Sequence, residues 1–269
     1  MHYDPIKQTL GKIFNKHPFL RIIFYKLLDT LLLRSWHVRK ELRRLGSVLP
    51  AHSEILDAGS GFGQYSYYLS HKFRKARITG IDIKEEQIED CNAFAASLGL
   101  TEKLSFMYAD LTKYVYPDRF NLVLSVDVLE HILDDMQVFL NIYASLREGG
   151  ILLISTPSDQ GGSDVHEESD KSFIEEHVRN GYNIREIESK LSEAGFNNIQ
   201  SRYTYGKPGY ISWKFSMKYP VSMLDISPAF YLVLPFYYIF VFPFCLALNL
   251  ADTLIRHKSG TGLIVKAVK

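Results

Sequence analysis

The segment Ile55-Leu56-Asp57-Ala58-Gly59-Ser60-Gly61-Phe62-Gly63 sets an apolar run directly against a glycine-rich turn, and a helical pattern carrying Tyr65 and Leu69 follows. A short unbroken apolar run reads as a buried strand, and closely spaced glycines let a ligand approach the backbone. A further carboxylate, Asp82, closes the run Gly80-Ile81-Asp82. It comes about twenty residues later, where a carboxylate can accept hydrogen bonds from ribose hydroxyls. The dinucleotide fingerprint Gly-x-Gly-x-x-Gly is not met: counted from Gly59 its third glycine falls on Gln64, and counted from Gly61 it falls on Ser66. A nicotinamide-dependent dehydrogenase therefore loses ground.

Outward from this turn, short apolar runs alternate with longer helical patterns, the sequence form of a parallel sheet covered by helices. Strands are expected at 54–57, 77–82, 104–109, 120–125, 151–155 and 198–204. A helix over 85–98 should stop at Gly99, and one over 183–194 should open with an Asn183/Glu186 capping box and stop at Gly195. After the sixth strand comes an insert, and then Leu263-Ile264-Val265-Lys266-Ala267-Val268, whose β-rich composition reads as a seventh strand.

The glycine segment, Gly80-Ile81-Asp82, Ala109-Asp110, Ser125-Val126-Asp127-Val128-Leu129-Glu130-His131, and Leu146 to Ser155 with its Gly149-Gly150 together resemble the class I S-adenosylmethionine-dependent methyltransferases. The likeness is greatest to the branch of ubiquinone and menaquinone biosynthesis. The resemblance implies an α/β, Rossmann-like, seven-stranded and mostly parallel sheet with helices on both faces. It also implies S-adenosyl-L-methionine as cofactor, with Gly59, Gly61 and Gly63 against its methionine part and Asp57 close by. Asp82 would bind ribose, Ile83 and Leu111 would sandwich the adenine, Asp110 would accept from its amine, and Ser125 and Val126 would line the methyl-bearing end. Asp110 also reads as a loop cap.

Methyl transfer from a sulfonium asks mainly for alignment in a dry pocket. A general base is needed only where a proton leaves the acceptor. His131, just beyond the fourth strand, and His177, after the fifth, are the candidate catalytic residues, with His166 behind them. Each reads equally well as a packing or capping histidine. Methyl transfer needs no metal, and no metal-ligand spacing is evident.

The net charge of +1 hides a division: residues 1–46 carry 10 basic and 3 acidic side chains, 47–200 carry 13 and 25, and 201–269 carry 8 and 2. The basic ends are also the most apolar and aromatic, which suits an anionic membrane surface better than nucleic acid. Cys91 and Cys245 stand far apart, so neither a disulfide framework nor a zinc site is expected. The first sixteen residues lack the apolar core of a cleavable signal.

Residues 226–251 form 26 positions without a charge. That length could span a bilayer, which takes about 20 helical residues, but Pro235 and Pro243 should kink or break a helix. A single crossing would also strand the seventh strand across the bilayer, so a re-entrant or interfacial hairpin is expected. The resulting division is a basic amphipathic helical region and membrane-surface candidate (1–46), a methyltransferase core (47–206), an apolar membrane-associated insert (207–259) and the final strand (260–269).

The activity expected is methylation of a hydrophobic, lipid-like acceptor, a quinone, phospholipid or lipid-linked intermediate. It would take place on the cytoplasmic face of a membrane by a peripheral or monotopic protein. A soluble acceptor with an apolar lid or dimer contact, or a non-catalytic assembly protein, stands as the alternative.

Overall fold

A computed structural model describes residues 17–161 and 178–269 of the chain. Its centre is a seven-stranded sheet in the order β3-β2-β1-β4-β5-β7-β6. The strands are β1 (Glu54–Ala58), β2 (Arg77–Asp82), β3 (Leu104–Tyr108), β4 (Phe120–Val126), β5 (Leu146–Pro157), β6 (Asn197–Thr204) and β7 (Gly262–Val268). The pairs among β1 to β5 are parallel, whereas β7 runs antiparallel between β5 and β6. All seven expected strands are present. β5 begins earlier than its apolar run because Leu146 pairs with Phe120 ahead of a register shift.

Helices α1 (Pro18–Leu31) and α2 (Leu33–Leu45) precede the sheet, and α3 (Gln64–Lys72), α4 (Glu85–Ser97), α5 (Asp135–Ser145) and α6 (Ile184–Glu193) connect its strands. One face of the sheet is packed by Leu56, Phe139, Ile187 and Leu191. The other is packed by Ile55, Ile88 and Ile264 together with Val38 and Leu42 of α2. The apolar residues of α2 thus belong to the core. On this N-terminal pair the exposed large apolar residues are Phe19, Leu27 and Leu31 of α1.

The helix stops fall where expected, with Gly99 at φ +66° and Gly195 at φ +101°. The capping box is only half made. The Asn183 side chain accepts from the Arg185 N–H at 2.9 Å, but Glu186 pairs with Lys190 at 2.9 Å instead of reaching back. An i,i+4 ion pair one turn on competes for the same carboxylate.

The insert is a helical hairpin: α7 (Lys207–Trp213), a π-helical turn (Lys214–Lys218), α8 (Tyr219–Ile226), a 3-10 turn (Pro228–Leu232) and α9 (Leu234–Leu254). Neither proline ends α9. Pro235 sits in its first turn, where a missing N–H costs nothing, and Pro243 lies inside the helix. The hairpin leaves from the C-terminal end of β6, which runs parallel to β5, so it stands on the sheet edge where the strands β1, β2 and β4 also end.

Candidate functional site

The strand order reverses between β1 and β4, and crevices outside the carboxyl ends of such strands are where open α/β sheets bind ligands. The glycine turn lies at this point. Gly61 and Gly63 have φ of +49° and +74°, in the left-handed region that side chains disfavour. A Cβ on Gly61 would meet nothing closer than Gln87 Oε1 at 3.8 Å, so this part of the turn is open to a ligand. The turn is pinned by the Gly59 and Ser60 N–H groups to the Ile81 carbonyl, both at 2.9 Å, and by the Gly63 N–H to the Ser60 carbonyl at 2.8 Å.

Asp82 closes β2 on the same rim. Its Oδ2 accepts from the Gly61 N–H at 2.9 Å and its Oδ1 from the Lys84 N–H at 3.0 Å. Each oxygen keeps a second lone pair. Asp57 is buried and turned toward the helix: Ser66 Oγ donates to it at 2.5 Å, and burial pushes its carboxyl up to about 6. Asp110 accepts from both the N–H and the hydroxyl of Thr112, at 2.9 and 2.8 Å. That is the loop-cap geometry, and it occupies one of the two carboxylate oxygens. Ile83 is exposed at the rim, whereas Leu111 is buried in the core cluster.

The α1–α2 pair closes on the glycine turn, a role that charge composition alone does not reveal. Arg21, 3% exposed, donates to the Phe62 carbonyl at 2.9 Å, the Asp90 carbonyl at 3.0 Å, the Tyr25 hydroxyl at 2.7 Å and the Cys91 sulfur at 2.9 Å. Tyr25 donates to the same Phe62 carbonyl. Two residues on, Gln64 donates to Asp29 at 2.7 Å, and Tyr65 and Ser35 share a hydrogen bond of 3.2 Å.

The conformation of Gly61-Phe62-Gly63 is therefore set partly from outside the sheet. Arg21→Met should remove the donor to the Asp90 carbonyl and leave Tyr25 alone on the Phe62 carbonyl, an effect of about 1–3 kcal/mol on stability. It should also weaken cofactor affinity about tenfold by calorimetry, since that free energy is partly recovered in the ordered turn. Full affinity in a destabilised variant would confine Arg21 to a structural role.

Across the crevice, Ser125 and Val126 end β4, with Ser125 paired to Ala58 of β1. The Ser125 and Ser60 hydroxyls are buried without a hydrogen-bond partner among the described residues. Asp127 has φ +52°, a strained conformation for a side-chain-bearing residue, and strain of this kind collects at functional sites. Its carboxylate is ion-paired with Arg34, the second residue of α2. The backbone N–H of Arg34 donates to the Tyr205 hydroxyl at 2.9 Å, and Tyr205 also has positive φ, +54°, at the end of β6.

Glu130 lies beneath, almost fully buried, and accepts from the Thr156 hydroxyl at 3.1 Å. Burial pushes its carboxyl up to about 7. His131 follows in the 3-10 turn Leu129–His131, partly exposed at the rim. His166 and His177 lie outside the described residues. The Val178 N–H donates to the Glu130 carbonyl at 3.1 Å, and Arg179 donates to the Ile132 and Leu133 carbonyls at 2.7 and 3.0 Å.

Glu130, Arg34 and Tyr205 were not singled out by sequence. Glu130 stands inside the quoted Leu129-Glu130-His131 run, a usable signal, whereas Arg34 and Tyr205 carry no local pattern.

The residues present fit S-adenosylmethionine. An open glycine turn and a rim carboxylate with spare lone pairs share the strand-end edge, and the Ser60 and Ser125 hydroxyls of the adjoining turn and strand are buried without a partner among the described residues. Among the described residues no group of three His, Cys, Asp or Glu side chains could hold a metal ion.

A family model for methyltransferase domains matches residues 50–203. Phosphoethanolamine N-methyltransferase 1 of Arabidopsis thaliana is 29% identical over 157 residues, which is 54% of this chain and 29% of that protein. A probable chloroplastic tocopherol O-methyltransferase of Oryza sativa is 35% identical over 103 residues, 38% of this chain and 28% of that protein. Sterol 24-C-methyltransferase of Aspergillus fumigatus is 24% identical over 170 residues, 61% of this chain and 45% of that protein. This chain therefore spans less than half the length of each.

Among solved structures, phosphoethanolamine N-methyltransferase 2 of Haemonchus contortus in complex with S-adenosyl-L-methionine superposes with a TM-score of 0.61 at 19% identity. The match covers 91% of this chain and 60% of that one.

Proposed function

Because this chain belongs to the methyltransferase-domain family and is a class I enzyme that uses S-adenosyl-L-methionine, we propose that it methylates a hydrophobic, lipid-like acceptor drawn from a membrane surface. The observation that carries this reading is the reversed polarity of α9. Phe236, Phe240, Pro243, Ala247, Leu250 and Leu254 recur every three or four residues and are all exposed. The buried residues of the same helix are Cys245, Asn249, Asp252 and Thr253. A helix of a water-soluble domain turns its apolar stripe inward. Only 11% of the apolar window of α9 is buried, and so long an apolar face marks a membrane or partner surface.

The hairpin rises from the strand-end edge that also bears the crevice, so an acceptor leaving the bilayer would meet the Ser125–Asp127 rim. Two relatives act, by name, on tocopherol and on a sterol, both lipids. A quinone, a phospholipid or a lipid-linked intermediate fits equally, at the cytoplasmic face of a membrane with the protein monotopic or peripheral.

When bound, the cofactor supplies a methyl group already activated on a sulfonium. In this reading Gly59, Gly61 and Gly63 hold its methionine part and Asp82 its ribose. Ile83, Leu111 and Asp110 lie on the adenine side, and Ser125 and Val126 on the methyl side. The chain itself aligns the acceptor and excludes water. His131 is the described base candidate on this rim, with His177 beyond the described residues. Either one matters only for an acceptor that loses a proton.

Methyl transfer from radiolabelled cofactor into a total lipid extract, with a soluble-metabolite extract run beside it, tests the proposal. Label is expected in a lipid band, and label confined to the soluble pool would overturn the acceptor class.

A further inference from the structure

The exposed charges of the hairpin that carries the α9 stripe are mostly basic. Between residues 207 and 258 the charged side chains are Lys207, Lys214, Lys218, Arg256 and Lys258 against Asp225 and Asp252. Asp252 is fully buried and bound by two histidines, which leaves Asp225 as the one exposed acid among them.

The lysines of the π-helical turn rest on aromatic rings. Lys214 Nζ lies 4.4 Å from the centroid of Tyr210, and Lys218 Nζ lies 5.9 Å from that of Trp213. The two rings are stacked, with centroids 6.2 Å apart. The same turn is clamped to α9 by the Tyr237 and Tyr238 hydroxyls, which donate to the carbonyls of Phe215 and Ser216 at 2.8 Å each. Phe215 meets Phe244, on α9 beside the stripe, at a centroid distance of 6.2 Å.

Aromatic rings with ammonium groups carried along them are the chemistry of the headgroup level, apolar below and charged above. Arg256 and Lys258 stand two and four residues beyond Leu254, the last residue of the stripe.

We propose that this face binds an anionic lipid bilayer, with α9 lying in the interface and Lys214 and Lys218 at the level of the lipid phosphates. The proposal rests on the membrane reading given above and adds to it the charge of the surface recognised. A basic side chain near an anionic surface contributes about 1 kcal/mol, or roughly fivefold in affinity.

The full chain should therefore bind vesicles of equal parts phosphatidylcholine and phosphatidylglycerol far more tightly than vesicles of phosphatidylcholine alone. Sedimentation with vesicles measures both. The double variant Lys214→Ala, Lys218→Ala should lose roughly 25-fold in affinity for the mixed vesicles, change little toward the neutral ones and keep full cofactor affinity, which shows that it is folded. High salt should erase most of the preference.

Equal binding to both vesicle types, or a double variant indistinguishable from the parent, overturns the proposal. A vesicle-free dimer that buries the stripe, seen by sedimentation velocity together with absent vesicle binding, overturns it in favour of a second copy as occupant. Lipid labelling without a vesicle preference would leave the acceptor reading standing and remove this one. A vesicle preference with label only in soluble metabolites would do the reverse.

Discussion

Asp82→Ala is expected to abolish measurable cofactor binding. The carboxylate holds the Gly61 N–H and the Lys84 N–H, so it shapes the glycine turn as well as standing on the rim. In the proposed complex it would accept the ribose hydroxyls in addition. Hydrogen bonds to a charged group contribute about 1.5–3 kcal/mol each. Losing two of them, with the turn released as well, should weaken affinity by about 10²-fold or more. Asp82→Asn, which keeps an acceptor oxygen but not the charge, should fall between. Calorimetric titration with S-adenosylmethionine and with its demethylated product measures this directly. Undiminished affinity in the alanine variant would remove Asp82 from the site.

The second large effect is expected at Asp252, and it concerns stability. This residue lies on α9, yet its side chain is fully buried between the hairpin and the core. It takes hydrogen bonds from His37 at 2.9 Å, the Gly209 N–H at 2.9 Å and the Tyr205 N–H at 3.2 Å, while His257 Nε2 bonds the Asp252 backbone carbonyl at 3.0 Å and lies 3.1 Å from the carboxylate. On the other side of the His37 ring, Arg202 donates to Nδ1 at 3.1 Å. A guanidinium only donates, so Nδ1 must be the acceptor and Nε2 must carry the proton shared with Asp252. His37 is therefore neutral.

Removing one partner from a buried charged network costs about 3–5 kcal/mol. Asp252→Ala should accordingly lower the urea midpoint steeply or prevent folding. A variant within about 0.5 kcal/mol of the parent, the range of an ordinary surface substitution, would sink this account. The same network means that excising the whole hairpin would also remove the anchor of β6 and α2. Polar substitutions of exposed stripe residues therefore separate membrane binding from folding better than a deletion does.

The network also fixes the sign of a pH dependence. Burial lowers the pKa of His37, outweighing the raising effect of Asp252. Burial alone would raise that of Asp252, but its hydrogen bonds from His37 and the Gly209 N–H hold it below the ordinary carboxylate value. The unfolded chain binds a proton at His37 below about pH 6.5, whereas the folded chain does not. Stability from this site should therefore be complete above that pH and decline as pH falls below it. Asp252 adds a further loss in strong acid, as pH falls from the ordinary carboxylate value toward its lowered folded pKa. Urea midpoints measured from neutral pH downward should show the first decline, and Arg202→Met, which frees Nδ1 to be protonated, should reduce it.

Much of the catalytic half was legible because its signals are local. A buried run, a glycine turn and a strand-ending carboxylate are consecutive in sequence, and backbone geometry ties their meaning to spacing alone. The strands, the order of helices and the glycine stops followed from the same kind of information. Asp110 shows where this fails, since sequence offers both a ligand and a loop-cap reading, and only the structure places Thr112 on one of its oxygens. Pro243 shows it again. A proline inside a helix is unfavourable on its own, but the helix is held along its length by contacts with α7 and the π-helical turn, among them Ser212 to the Cys245 carbonyl at 3.2 Å.

Sequence by itself determined the α/β class, the glycine turn and strand-ending carboxylate that follow its first two strands, and the presence of a long uncharged segment before the last strand. Tertiary structure alone decided which way that segment faces, because an apolar run has no inside or outside until its few polar residues, Asn249, Asp252 and Thr253, find buried partners. It alone decided that Arg21 and Tyr25 close on the Phe62 carbonyl, and that Arg34 meets Asp127 across 93 residues of chain. Contacts between residues so distant in sequence depend on where the backbone carries them, and no local propensity encodes that.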